Sequence, residues 1–132
     1  MEVVVQEDPL GCGIACVAAV LMVSYQESLD LFDDGQRKAK EVGFFCKEIV
    51  MALKKRGLEY EYKYIKDKLR KRIYKKGTIV FLRRFKKYSS GHYLCRLNNK
   101  WMDPWINFPN ENRKAGFRKR LPEKPIYIIY AT

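Results

Sequence analysis

From Cys12 to about Tyr25 the chain is apolar at nearly every position and rich in Ala and Val. A helix that is hydrophobic around most of its circumference belongs in the middle of a fold, packed on several sides. The pattern then changes. Ser28 to Gly35 predicts a short turn or helix closed by Asp33-Asp34-Gly35, and Lys47 to Arg56 places Ile49, Val50 and Leu53 at helical spacing with Gly57 as the terminating residue. Glu59 to Ile65 alternates, with Tyr60, Tyr62 and Tyr64 on one face, as a half-buried strand does. Lys66 to Lys76 predicts a basic surface helix, with Leu69 and Ile73 inward and Gly77 as the stop. Strands are predicted over Thr78 to Phe85, His92 to Leu97, Lys100 to Trp105 and Pro125 to Tyr130, the middle two joined through Asn98-Asn99, residues that tolerate the positive φ of a tight hairpin. Met1 to Val5 is a short lead-in strand or extended segment. Helices first and a mostly antiparallel sheet afterwards make an α+β fold with a helix packed on the sheet.

Composition narrows the class. With 132 residues, 47% hydrophobic and 14% aromatic, the chain predicts one globular domain over 1–132 with a core of its own. No apolar run reaches the roughly 18 residues of a membrane span, and Ile14 to Val23, the longest candidate, has no basic lead-in of the kind a signal peptide carries. A soluble, cytoplasmic protein is expected. Four cysteines (12, 16, 46 and 95) include no CxxC pair and form no dense disulfide framework. Zinc ligation by Cys12, Cys16 and His92 fits the usual spacings poorly. No metal or cofactor is expected.

The net charge of +12 is unevenly spread: residues 1–34 carry seven acids and no Lys or Arg, and residues 35–132 carry the other eight acids and all 27 bases. Such polarity suits an acidic partner, whether nucleic acid, an anionic membrane surface or an acidic peptide. It equally suits a plain lysine-rich solvated surface.

The candidate chemistry lies in three places. Cys12, between Gly11 and Gly13, stands at the predicted start of the apolar helix, where unpaired N–H groups favour a thiolate. His92, the only histidine, opens a strand. It can take the thiol proton and return it to a leaving group. Asp103 can accept the second ring N–H and orient the imidazole. Counting back from Asn98-Asn99 sets Leu97 opposite Lys100, Arg96 opposite Trp101, Cys95 opposite Met102 and Leu94 opposite Asp103, which makes His92 a diagonal neighbour of Asp103. Gln6, six residues before Cys12, has an amide suited to the oxyanion of an acyl transfer, beside the Cys12 N–H. Taken singly, each has a plainer reading. Cysteine on an apolar helix is usually core, a strand histidine is usually packed, Asp-Pro is an ordinary turn and Gln6 an ordinary loop residue. All four together, in workable order and spacing, favour chemistry.

Gln6-Glu7-Asp8-Pro9-Leu10-Gly11-Cys12-Gly13-Ile14-Ala15-Cys16, followed by Gly91-His92-Tyr93 and Asp103-Pro104, resembles the bacteriocin-processing cysteine peptidases, papain-like domains best known fused to peptide-exporting ABC transporters, here in stand-alone form. The resemblance implies a papain-like fold with Cys12 as nucleophile, His92 as base, Asp103 as orienter, Gln6 in the oxyanion hole and Cys16 as a packing residue. It runs from Gln6 to at least Pro104 and departs at Gly11, where the family usually has Asp. The function expected is a cysteine peptidase, a thiol hydrolase cleaving a peptide or isopeptide bond in a peptide or protein substrate with acidic segments. Two other readings stand beside it: a deamidase or acyl transferase using the same thioester, and a nucleic-acid-binding module using the basic stretches Lys66 to Lys76 and Arg83 to Tyr88.

Overall fold

The computed structural model describes residues 2–132. Four α-helices come first, α1 (Cys12–Leu21), α2 (Tyr25–Leu29), α3 (Gly35–Glu41) and α4 (Cys46–Lys55). Six strands follow, β1 (Tyr60–Tyr64), β2 (Ile79–Leu82), β3 (His92–Leu97), β4 (Lys100–Asp103), β5 (Gly116–Arg118) and β6 (Pro125–Ala131). They form one sheet in the order β1-β6-β2-β3-β4-β5. Every neighbouring pair is antiparallel. The predicted α+β layout is the observed one.

α1 is central, as its composition requires. Residues 13–19 are all buried, and the helix packs into a cluster with Ile49 and Leu53 of α4 and Ile79, Tyr93, Cys95, Leu97, Met102 and Ile129 of the sheet. The other sheet face carries a second, smaller cluster of Val80, Leu82, Leu94, Trp101, Ile128 and Tyr130, covered by Ile73 with Ile65, Leu69 and Leu121 at its margin. The hairpin register comes out as counted, with Cys95 opposite Met102, Arg96 opposite Trp101 and Leu97 opposite Lys100. Its turn differs in one respect: only Asn98 has positive φ, at 56°.

Two local expectations need correction. The long apolar helix stops at Leu21, where Met22 takes the left-handed conformation at φ 59°. Ser24 then caps a separate α2 by accepting from the Glu27 N–H. The predicted basic helix over Lys66 to Lys76 is two 3-10 turns, Asp67–Leu69 and Arg72–Tyr74. Seven bases and one acid in eleven residues place like charges three and four apart, which disfavours a continuous helix. Leu69 and Ile73 still point inward. α3 and β5 arise from segments with no clear periodicity, and each is short. Of the two alternatives for Met1 to Val5, a strand is absent over residues 2–5, and Met1 lies outside the described residues. No helix among the described residues is long and apolar enough to cross a membrane.

Candidate active site

The segment before α1 is tied down on both sides. The Gln6 N–H donates to the Pro104 carbonyl at 3.2 Å, which sets the N-terminal segment against the end of β4. The Arg113 guanidinium donates to the Glu7 carbonyl at 3.0 Å. Gly11 caps α1 without a side chain of its own, and its place is fixed by Tyr25, whose hydroxyl donates to the Asp8 carboxylate at 2.9 Å. A Cβ at position 11 would lie 2.0 Å from that hydroxyl oxygen. This explains the glycine: Tyr25 and Asp8 occupy the space that a larger residue at position 11 would need.

Cys12, half-buried, is the first residue of α1 and faces a cleft of about 540 Å3. His92 and Asp103 are buried, at 2% and 0% exposure. His92 Nε2 and Asp103 Oδ1 lie 2.7 Å apart, leaving Nδ1 as the ring nitrogen open to the thiol. Cys12 is close enough to this ring to raise its pKa. Burial alone would pull the His92 pKa down, but hydrogen bonding to Asp103 and Cys12 and the charges of both overcome it, leaving the imidazole at about 9. Burial pushes the Asp103 carboxyl up, while hydrogen bonds and charge from His92, a hydrogen bond from Arg118 and the Trp105 N–H outweigh that and hold it below the usual carboxylate range. The pair therefore favours imidazolium beside carboxylate.

The carboxylate of Asp103 is saturated with donors. Oδ1 also accepts from the Trp105 N–H at 3.0 Å, and Oδ2 accepts from Arg118 Nε at 2.8 Å. Arg118 comes from β5, which pairs with β4 so that Gly116 lies opposite Asp103 and Arg118 opposite Trp101. Tyr88 stacks flat on the His92 ring, with centroids 4.1 Å apart and planes within 3°, and its hydroxyl donates to the Trp105 carbonyl at 3.2 Å. Arg118 and Tyr88 are the site residues that sequence reasoning missed. Arg118 looks like any other cation in a basic chain, and Tyr88 follows the basic run Arg83 to Lys87, where it reads as an exposed aromatic.

Gln6 is buried beside this arrangement, at 2% exposure. Its amide nitrogen donates to the Asp8 and Pro9 carbonyls at 3.0 and 3.1 Å, and its Oε1 has no partner among the described residues. As it stands, the amide braces the loop that leads into Cys12. Cys16 lies fully buried, its thiol pushed well up by burial and by a hydrogen bond with Cys95. Among the described residues no three His, Cys, Asp or Glu side chains cluster in a way that would hold a metal ion.

The turn into β3 depends on Gly91. Its φ is +80°, and a Cβ there would lie 2.1 Å from the edge of the Phe81 ring. Gly91→Ala is expected to destabilise the fold by about 2–4 kcal/mol, from positive φ and overpacking together. A thermal or urea melt checks it, and an unchanged midpoint would contradict the clash.

No family model matches the chain, and no curated protein matches it. Among solved structures it is similar to the peptidase domain of Streptococcus ComA, a bi-functional ABC transporter involved in a quorum-sensing pathway. The two share 23% identity over 98% of this chain and 96% of that one, with a TM-score of 0.57. Helices that precede an antiparallel sheet and pack on it are common to both. The chain thus has the fold of a papain-like peptidase domain.

Proposed function

We propose that this chain is a cysteine peptidase that cleaves a peptide or isopeptide bond through a thioester on Cys12. The observation that carries the reading is the buried His92, held by Asp103 through Nε2 at 2.7 Å, with Cys12 nearby at the start of α1. In this reading the thiol proton already rests on His92, as an imidazolium paired with the Cys12 thiolate, and that thiolate attacks the substrate carbonyl carbon. The oxyanion so formed faces the first-turn N–H groups of α1, which have no helical partners. Collapse expels the amine, which takes the proton from His92. Water, activated by the same ring, then releases the acid and regenerates the thiol. Asp103 holds the ring in register throughout. Gln6 serves this oxyanion by giving up one of its two loop carbonyls.

The cleft beside Cys12 is bounded by Leu10, Phe44, Phe45, Phe81 and Tyr93, with Lys47 and Arg84 also in its wall. Such a lining suits apolar substrate side chains, and the two cations suit a nearby acidic residue. A deamidase or acyl transferase would use the same thioester and differ only in the acceptor. Mass spectrometry of the products separates these outcomes: hydrolysis yields two fragments, and deamidation leaves the chain whole.

Limited iodoacetamide followed by peptide mapping is expected to modify Cys12 ahead of Cys46, whose thiol is pushed up by burial despite a compensating Tyr93 hydrogen bond. Modification of Cys46 first would overturn the nucleophile assignment. The pH profile supplies a further check. A histidine whose pKa is raised on folding stays protonated well past its ordinary value, so kcat/KM is expected to fall on the alkaline side as pH rises through about 9. The stability that the protonated ring contributes follows the same sign. It is full below the ordinary pKa of about 6.5 and is lost as pH climbs through the folded value. An alkaline limb centred near neutrality would contradict the imidazolium.

A further inference from the structure

Two segments far apart in sequence, 70–74 and 119–125, meet with Trp101 to form a second groove of about 730 Å3, and none of its lining residues lines the cleft beside Cys12. Arg70, Lys119, Arg120 and Lys124 line it, all exposed, against a single acid, Glu123. That acid is already occupied: Arg83 pairs with it at 3.2 Å, and it accepts from the Lys124 N–H. Lys119, Arg120 and Lys124 have no ion-pair partner among the described residues, and Arg70 has only the exposed Asp67 at 3.2 Å. The groove is therefore a cationic trough with no internal counter-charge to fill it.

Its aromatic content is arranged in a particular way. The Arg96 guanidinium lies 5.2 Å from the Tyr74 ring centroid and 5.1 Å from that of Trp101. Trp101 is fully buried and Arg96 Nε is buried without a partner, while Tyr74 is 58% exposed. A solvent-facing ring held by a cation and a buried indole is a rigid platform, so a flat ligand stacking on it loses little side-chain entropy. Lys63, Lys66 and Lys68 line an adjoining groove with Tyr64 across the first 3-10 turn, which extends the positive surface along the chain.

We propose that this groove binds single-stranded nucleic acid, with phosphates along Arg70, Lys119, Arg120 and Lys124 and a base stacked on Tyr74. Cations tracking a backbone beside an exposed aromatic are the general solution for binding single strands without sequence preference. An acidic peptide would use the cations and leave the tyrosine idle, and the flat face of an anionic bilayer would not follow a groove. The site is independent of the thiol chemistry, so binding survives Cys12→Ala.

Fluorescence anisotropy of an end-labelled oligothymidylate tests this on the full chain. Binding is expected to weaken with salt at a log–log slope of about −3, from about −0.7 for each of four phosphate contacts. Lys119→Ser with Arg120→Ser should reduce that slope by roughly 1.4. Tyr74→Leu should weaken binding about five- to a hundredfold while leaving the slope alone. Both variants alter exposed side chains, and circular dichroism verifies their folding. No binding, or binding indifferent to Tyr74, overturns the proposal. So does equal affinity for duplex DNA, or equally effective competition by polyglutamate or anionic vesicles.

Discussion

Cys12→Ala is expected to reduce peptide turnover by about 10^6-fold, the scale seen when one member of a catalytic unit is removed. The variant should fold normally. Cys12 is only half-buried at the first position of α1, and alanine is a good helix former there. His92→Ala should cost about as much, because the thiol has no other base: the chain holds one histidine. The informative variant is the double one. If Cys12 and His92 act on one step, removing both costs no more than removing either, whereas independent roles would multiply the losses. Single-turnover assays on the folded variants make this comparison. Retained activity in Cys12→Ala would end the peptidase reading.

Asp103→Asn is expected to lower kcat by about 10^4-fold with little change in KM, because the substitution disturbs the tautomer without removing the ring. The geometry shows why the replacement cannot be silent. Both carboxylate oxygens accept, Oδ1 from His92 and the Trp105 N–H and Oδ2 from Arg118. Asparagine supplies one oxygen and one NH2. With its oxygen toward His92, the NH2 confronts Arg118 Nε, donor against donor. Turned the other way, the NH2 confronts the Trp105 N–H and forces His92 to accept, which moves the ring proton to the nitrogen meant for the thiol. Either arrangement leaves a buried donor unpaired at about 1–3 kcal/mol. Urea unfolding should therefore report a loss of stability alongside the kinetic one. Arg118→Ala should share the stability loss but keep the tautomer, so its kcat should fall far less. Equal kcat losses in the two variants would contradict Asp103 as the orienting group.

The sequence exposes those parts of this fold that local chemistry decides. α1 was legible because apolar residues on every side leave a helix nowhere to go but the middle. The β3–β4 hairpin was legible because a two-residue loop fixes the register, and the register in turn brought His92 within reach of Asp103. What the sequence hid depends on tertiary context. The Lys66 to Lys76 stretch has helical spacing in Leu69 and Ile73, yet charge repulsion and the demand to cover the second cluster broke it into turns. β5 is three residues long and gains its strand character only from pairing with β4. Arg118 could not be picked from 27 bases by composition, because its meaning lies in being opposite Trp101 and two residues along from the partner of Asp103. Tyr88 stands next to a basic run in the sequence, yet its ring is buried and covers the imidazole instead of facing solvent.

Gly11, Asp8 and Tyr25 can exchange only as a set. The hydroxyl of Tyr25 fills the space where a side chain at position 11 would begin, so Gly11→Asp alone should unfold or distort the start of α1. Gly11→Asp combined with Tyr25→Phe removes the obstructing oxygen and the donor to Asp8 together, and it should recover much of the lost stability. A thermodynamic cycle over the two positions is expected to show coupling of about 1–3 kcal/mol; additive losses would mean that the two sites do not share space. The cap of the nucleophile helix is thus a lock with interchangeable halves. Placing an acidic residue at position 11 requires the loss of a hydroxyl fourteen residues away.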